Sequence, residues 1–214
     1  AEGLDNPRIL LPMVSSGGEI DEFRDVLADA MLQLHAEGHR LTRPALGVMV
    51  EVPAAISQIP FWSGKIDFIS IGSNDLSQYL LALDRNNPRV AARYDHVHPA
   101  VLLEVRRILE LAGAHGLPVS LCGEMASDPV AVVLLLGLGL RTLSMSATKI
   151  PQIKWLIRSL PLASAQQLAL DALACVYPAE IRSRVEAALA NAEMQEIFRL
   201  TPPLQRTPTS APTA

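Results

Sequence analysis

The feature that most constrains this 214-residue chain is an alternation. Short apolar runs of strand length recur between longer stretches with helical spacing. The runs are residues 8–14 (RILLPMV), 46–51 (LGVMVE), 66–71, 117–122 (LPVSLC) and 142–145 (TLSM). The first helical stretch, 19–37, places Ile20, Phe23, Val26, Leu27, Ala30, Met31 and Leu34 on one stripe, which predicts a buried face, and Gly38 ends it. A short apolar helix is expected from Pro53 to about Ile59. Leu76, Tyr79, Leu80 and Leu83 mark the next helix, and Pro99 opens another at a favoured first position, with Gly116 closing it. Asp128 and Pro129 cap the very apolar AVVLLLGLGL, and Thr148 is the expected cap of a helix through Leu160.

Strands alternating with helices predict a parallel sheet. The expected fold is α/β, about five strands of a (β/α)8 TIM barrel. A closed barrel has eight strands in about 250 residues. Its remaining strands are expected to precede Ala1 in a longer parent chain. An open doubly wound sheet is the alternative, but no Gly-x-Gly-x-x-Gly turn supports it. The expected organisation is a partial barrel over 1–160, a helical extension over 161–200 with helices at 164–175 and 179–200, and a disordered Pro- and Thr-rich tail over 201–214.

A hydrophobic content of 50% against 19% charged residues suits a globular core. The net charge of -4 speaks against a nucleic-acid partner. Cys122 and Cys175 do not make a disulfide framework and read as free thiols of a reducing, cytoplasmic setting. No signal peptide and no apolar span of membrane length is visible, so no membrane association is expected.

Chemistry concentrates where strands end. The stretch from Lys65 to Arg85 reads as strand, tight turn at Gly72 and helix, with Ser73 and Asn74 as natural N-cap residues. Backbone N–H groups at such a helix start attract anions, and Asp75 beside them could hold a divalent metal. A plain capping turn with a surface Asp has the same composition. Strand alternation puts Glu51 on the face of Gly47 and Met49, and Cys122 on the face of Ser120, with Glu124 just beyond. Arg85 offers a planar fork for phosphate oxygens. Glu51 as a solvated strand end, Arg85 as a partner of Asp84, and Cys122 as a small buried hydrophobe are the plain alternatives.

The segments GVMVEVPAA, DFISIGSNDLSQYLLALDRNN, YDHVHPAVL, LCGEMASDP and LLLGLGLRTLSMSAT resemble, in order, the phosphoenolpyruvate-binding domain of enzyme I, the phosphoenolpyruvate–protein phosphotransferase of the bacterial phosphotransferase system. The resemblance runs from Arg8 to about Leu160. The wording of VPAAISQIPFWSGKIDFIS and IKWLIRSL is similar to the nitrogen-related branch. The resemblance implies a barrel that binds phosphoenolpyruvate with Mg²⁺ and passes the phosphoryl group to a histidine of a separate N-terminal domain. From there it goes to a small histidine-containing phosphocarrier protein, and pyruvate is released. By position, Glu51 and Asp75 match the metal ligands, Asn74 and Arg85 match residues holding phosphate, and Cys122 matches the acid that protonates the enolate. A homodimer is implied as well. None of His35, His39, His96, His98 and His115 lies in the family's phosphoacceptor setting, and His98 reads as a helix-start residue. The chain alone is therefore expected not to catalyse phosphotransfer. The barrel of a pyruvate phosphate dikinase or phosphoenolpyruvate synthase, and a non-catalytic dimerisation or regulatory module, are the competing readings.

Overall fold

The computed structural model describes residues 6–190. The tail expected over 201–214, and the end of the helix expected over 179–200, lie outside the described residues. Five strands appear: β1 (Arg8–Leu11), β2 (Ala45–Val50), β3 (Phe68–Gly72), β4 (Val119–Cys122) and β5 (Thr142–Ser144). Between and after them come α1 (Gly17–Ala36), α2 (Pro53–Ile56), α3 (Ser73–Leu81), α4 (Pro99–Ala114), α5 (Pro129–Gly137), α6 (Ile150–Ser159), α7 (Leu162–Leu173) and α8 (Pro178–Ala190).

The strands form one parallel sheet in the order β1-β2-β3-β4-β5. That order decides between the two architectures. A doubly wound sheet reverses its strand order at a switch point. Here the order never reverses. Right-handed crossovers that always step the same way put every helix on the same face of the sheet. The result is a run of consecutive barrel units.

The two faces differ sharply. Leu46, Val48, Val50, Ile69, Ile71 and Leu121 are fully buried toward the helices. The opposite face rises in steps along the strand direction. Leu10, Gly47 and Phe68 are register neighbours at the bottom; Met49, Ser70, Ser120 and Thr142 come next; Gly72, Cys122 and Ser144 are uppermost. The bottom step is apolar and aromatic, with the Arg8 guanidinium 5.5 Å above the Phe68 ring. Gly47 is needed there, since a Cβ would lie 2.3 Å from that ring. The top step is small and polar, and it leaves open space where side chains from the strand ends can meet.

Behind the sheet, α5 is buried on almost every side from Val130 to Leu135. It is covered by α7, and a Cβ at Gly137 would fall 2.1 Å from the Ala165 carbonyl oxygen. Helix α8 adds Ile181, Val185 and Leu189 to the same core. The first helix departs from expectation. Of the stripe expected to be buried in α1, Ile20 alone is fully so, while Val26 is 65% exposed. The reason is positional, because α1 follows the edge strand β1, at the margin of the sheet. The first strand is also shorter than the apolar run suggests. It ends at Leu11, because Pro12 has no N–H to donate to a ladder and Met13 turns into the left-handed region at φ 55°.

Candidate functional site

Glu51 stands one residue beyond β2, at the C-terminal edge of the sheet, and is only 3% exposed. Its Oε1 accepts the Met13 N–H at 2.8 Å. A non-glycine residue in the left-handed region costs roughly 1–3 kcal/mol, and at Met13 that conformation goes with a backbone donor aimed at Glu51. Gly72 makes room from the other side, since a Cβ there would sit 2.6 Å from Glu51 Oε2. Burial raises the pKa of Glu51, the Met13 N–H lowers it, and the neighbouring Asp75 raises it again.

Asp75 lies in the first turn of α3, on the helix that β3 feeds directly. Ala82, at φ 51°, ends α3 and folds the chain back, with Leu83 N–H donating to the Gln78 carbonyl at 3.1 Å. That reversal brings Arg85 alongside the helix it follows. Arg85 Nη2 is 3.8 Å from Asp75 Oδ1, and the Arg85 N–H donates to Gln78 Oε1 at 3.3 Å. The partner of Arg85 is thus Asp75, and Asp84 instead accepts the Asn86 N–H at 2.8 Å.

Ser73 and Asn74 are not the helix caps that local composition predicts. The cap position is Gly72, with no side-chain cap bond. Ser73 Oγ donates to the Cys122 carbonyl at 2.7 Å, and Asn74 Oδ1 accepts the Glu124 N–H at 3.0 Å. Both side chains tie α3 to the turn after β4, because the β3–β4 register sets Gly72 beside Cys122. That turn depends on Gly123. Its φ of 103° is in the left-handed region, and a Cβ would lie 2.4 Å from Ser73 Oγ and 2.8 Å from Asn74 Oδ1. The Asn74 oxygen is anchored by the Glu124 N–H, and its amide NH2 carries two further donors that suit an anion. Cys122 is half-buried, with Sγ 3.6 Å from the Ile71 carbonyl and 3.8 Å from Ser70 Oγ, which donates to it. The cap expected at Thr148 is corrected too. Thr148 lies in a 3-10 turn before α6 and bonds Ser146 Oγ at 3.1 Å.

All five residues singled out in the sequence, Glu51, Asn74, Asp75, Arg85 and Cys122, therefore lie around the C-terminal ends of β2, β3 and β4. Met13 and Tyr94 shape the same place and were not singled out, beside Gly72, where the turn was expected. The Tyr94 hydroxyl donates to the Asn74 carbonyl at 3.2 Å. Burial raises its pKa, Ser77 lowers it, and Glu124, Arg85 and Asp75 all act on it. Its place as the one Phe, Tyr or Trp between residues 86 and 98 was the available signal. Among the described residues there is no group of three or more His, Cys, Asp and Glu side chains able to hold a metal. The carboxylate pair Glu51 and Asp75 still fits one Mg²⁺, which takes one or two carboxylates and completes its shell with water and substrate oxygens. Burial and the charge of Asp75 disfavour ionised Glu51, so a cation between them would relieve both.

The histidines lie elsewhere. His96 Nε2 is 2.7 Å from Asp128 Oδ2, and His98 starts α4 as expected, its Nδ1 accepting the Ala100 N–H at 3.1 Å. His115 Nδ1 is 2.8 Å from the Leu111 carbonyl, and His35 and His39 are at the far end of α1.

A sheet wound in one direction, helices on one face and polar groups gathered at its C-terminal edge define a barrel-type α/β domain built to bind a ligand at that edge. Its conformation is shared with a citrate lyase from Burkholderia xenovorans LB400, at a TM-score of 0.52 and 18% identity over 91% of this chain and 67% of that one. The chain belongs to the family described as PEP-utilising enzyme, PEP-binding domain, which matches residues 1–162. It is 43% identical over 195 residues to a Salmonella typhimurium protein named phosphoenolpyruvate-dependent phosphotransferase system, covering 91% of this chain and 26% of that protein. It is 40% identical over 182 residues to a Haemophilus influenzae phosphoenolpyruvate-protein phosphotransferase, covering 85% and 32%. The chain thus spans about a quarter to a third of the length of these curated relatives. No helix among the described residues is long and apolar enough to cross a membrane.

Proposed function

We propose that this chain is the phosphoenolpyruvate-binding part of a phosphoenolpyruvate–protein phosphotransferase. The phosphoryl group goes to a histidine on a separate domain and then to a small histidine-containing phosphocarrier protein. The observation that carries the reading is the meeting of two carboxylates, an amide donor, a guanidinium and a thiol at one sheet edge. Phosphoryl transfer asks for positioning and charge neutralisation, and these are the groups that supply them. Asn74 donates through its free amide N–H groups to phosphate oxygens, and Arg85 meets them with its fork. Glu51 and Asp75 would hold Mg²⁺, which when bound neutralises charge on the substrate's carboxylate and phosphate oxygens.

The bond between phosphorus and the enol oxygen breaks as phosphorus bonds to an imidazole nitrogen. The enolate keeps the electron pair, and its terminal carbon takes the proton of the Cys122 thiol to give pyruvate. Solvent then returns a proton to the thiolate. Ser70, donating to Sγ, helps to aim the thiol. No histidine of this chain lies among these groups, so the chain by itself binds substrate without becoming phosphorylated. The nitrogen-related branch, a homodimer and a cytoplasmic setting complete the reading, and the two free thiols suit the last.

Calorimetry with phosphoenolpyruvate and Mg²⁺ tests it. Binding is expected to require the metal and to fall at least tenfold in Asp75→Ala, a loss of about 1.4 kcal/mol or more. Equal binding by the wild-type and Asp75→Ala proteins, or binding indifferent to Mg²⁺, would overturn the site assignment.

A further inference from the structure

One heavily connected charge in the described structure lies outside the residues that match the family. Arg182 is on α8, beyond residue 162. Its Nε and Nη2 donate to Asp95 Oδ2 and Oδ1 at 2.9 and 2.7 Å, a two-point fork. Its Nη1 donates to Asp128 Oδ2 at 2.9 Å. The same Asp128 oxygen is 2.7 Å from His96 Nε2, and the other accepts the Val130 N–H at the start of α5. Asp95 also accepts the Val97 N–H at 3.0 Å. Arg182, Asp95, Asp128 and His96 are all at least four-fifths buried at the side chain. Around this knot, Ile181 and Val185 fix α8 in the core.

The knot grips one short segment, Asp95 and His96, from two sides. The residue immediately before it is Tyr94, whose hydroxyl holds the Asn74 carbonyl at the first turn of α3. Asn74 in turn holds the Glu124 N–H after β4. An unbroken path of hydrogen bonds and adjoining backbone therefore runs from α8 to the sheet edge, through Asp95, Tyr94 and Asn74. A bidentate guanidinium in a mostly buried setting is a rigid link, which a single ammonium would not provide.

We propose that Arg182 is a positioning residue for the phosphoenolpyruvate site: through Asp95 it fixes Tyr94, and through Tyr94 it fixes Asn74. The helical extension is then part of the site's support. The claim about ligand binding rests on the function proposed above, while the claim about positioning does not.

Hydrogen exchange of the full 214-residue chain, followed by calorimetry with phosphoenolpyruvate and Mg²⁺, separates the two. Arg182→Ala and Tyr94→Phe should each speed exchange of the Glu124 amide by about three- to tenfold, the loss expected for about one hydrogen bond. Amides of β2 should be unchanged. The double variant should match the single ones, because both cut the same path. Binding should weaken in the same non-multiplying way, with Arg182→Lys only partly restoring it. A role confined to stability would speed β2 amides equally, or would multiply with Tyr94→Phe, and either result overturns the proposal. So does a wild-type exchange rate at Glu124 in Arg182→Ala. If Arg182→Ala does not fold, Asp95→Asn, which leaves the Arg182–Asp128 pair, carries the same expectations. If the wild-type chain exchanges as described yet binds no phosphoenolpyruvate, the functional reading fails and the positioning role stands.

Discussion

Helices α1 and α5 both carry apolar sequence and meet opposite fates. Helix α5 is apolar all round and buried from Val130 to Leu135, because the sheet lies on one side and α7 and α8 close the others. Helix α1 has a clear apolar stripe, yet its Val26 and Leu34 are 65% and 39% exposed. An apolar period says which face prefers burial. Whether that preference is met depends on neighbours, and α1 follows the edge strand β1, at the margin of the sheet. The same contrast holds for charge. Asp128 and Glu51 are both largely buried carboxylates. Asp128 meets a guanidinium and an imidazole, whereas Glu51 meets a backbone N–H and another carboxylate.

A truncation in each helix puts the contrast under the greatest strain. Leu134→Ala, in α5, should cost about 2–5 kcal/mol in chemical denaturation, because α5 is closed in and cannot collapse onto the void. A loss under about 1 kcal/mol would mean that α5 is far less enclosed than it looks.

The carboxylates come next. Burial pushes Asp128 up, but the hydrogen bonds and charges of His96 and Arg182 outweigh it and hold its pKa at about 2. The folded value lies below the ordinary aspartate value of 3.8, so ionised Asp128 stabilises the fold above that pH. Asp128→Asn should therefore cost about 2 kcal/mol at neutral pH. The difference from wild type should shrink as pH falls from about 4 toward 2. A pH-independent difference would detach Asp128 from this charge cluster.

Glu51 has the opposite sign. Its folded pKa is raised above 4.5, so its ionisation disfavours folding once the pH passes that value. Glu51→Gln, still able to accept the Met13 N–H, should be slightly more stable than wild type at about pH 7 and should lose that advantage below pH 4.5. Denaturant titrations on either side of that range would read it, and a Gln variant less stable at neutral pH would show that Glu51 is held by more than Met13. The smallest effect belongs to the margin: Val26→Ala should change stability by less than about 0.5 kcal/mol. A larger loss would show that something covers α1 in solution.

Much of this is legible in sequence because it is local. A strand of four or five residues, a glycine and a helix start are written within one short stretch, so the amino-acid order alone puts Glu51, Asn74, Asp75 and Cys122 at or just beyond strand ends, while Arg85 is brought back to them by the reversal at Ala82. The parallel sheet follows from strands alternating with helices. Partners are another matter. Ser73 and Asn74 have the composition of caps, but their side chains bond 49 and 50 residues away, at the end of β4 and on the turn after it. Met13 donates across 38 residues to Glu51, and Arg182 reaches 87 residues back to Asp95.

By itself, then, the sequence determined the period of each element, the polarity of each strand end and the kinds of chemical group that gather there. These depend on backbone propensity and on residues within a turn of one another. The tertiary structure alone decided the unreversed strand order, the unmet face of α1, the anion-ready orientation of the Asn74 amide and the tie from α8 to Tyr94. Each of those depends on which distant groups the strand register brings within hydrogen-bonding range, and register is a property of the packed sheet that no local stretch contains.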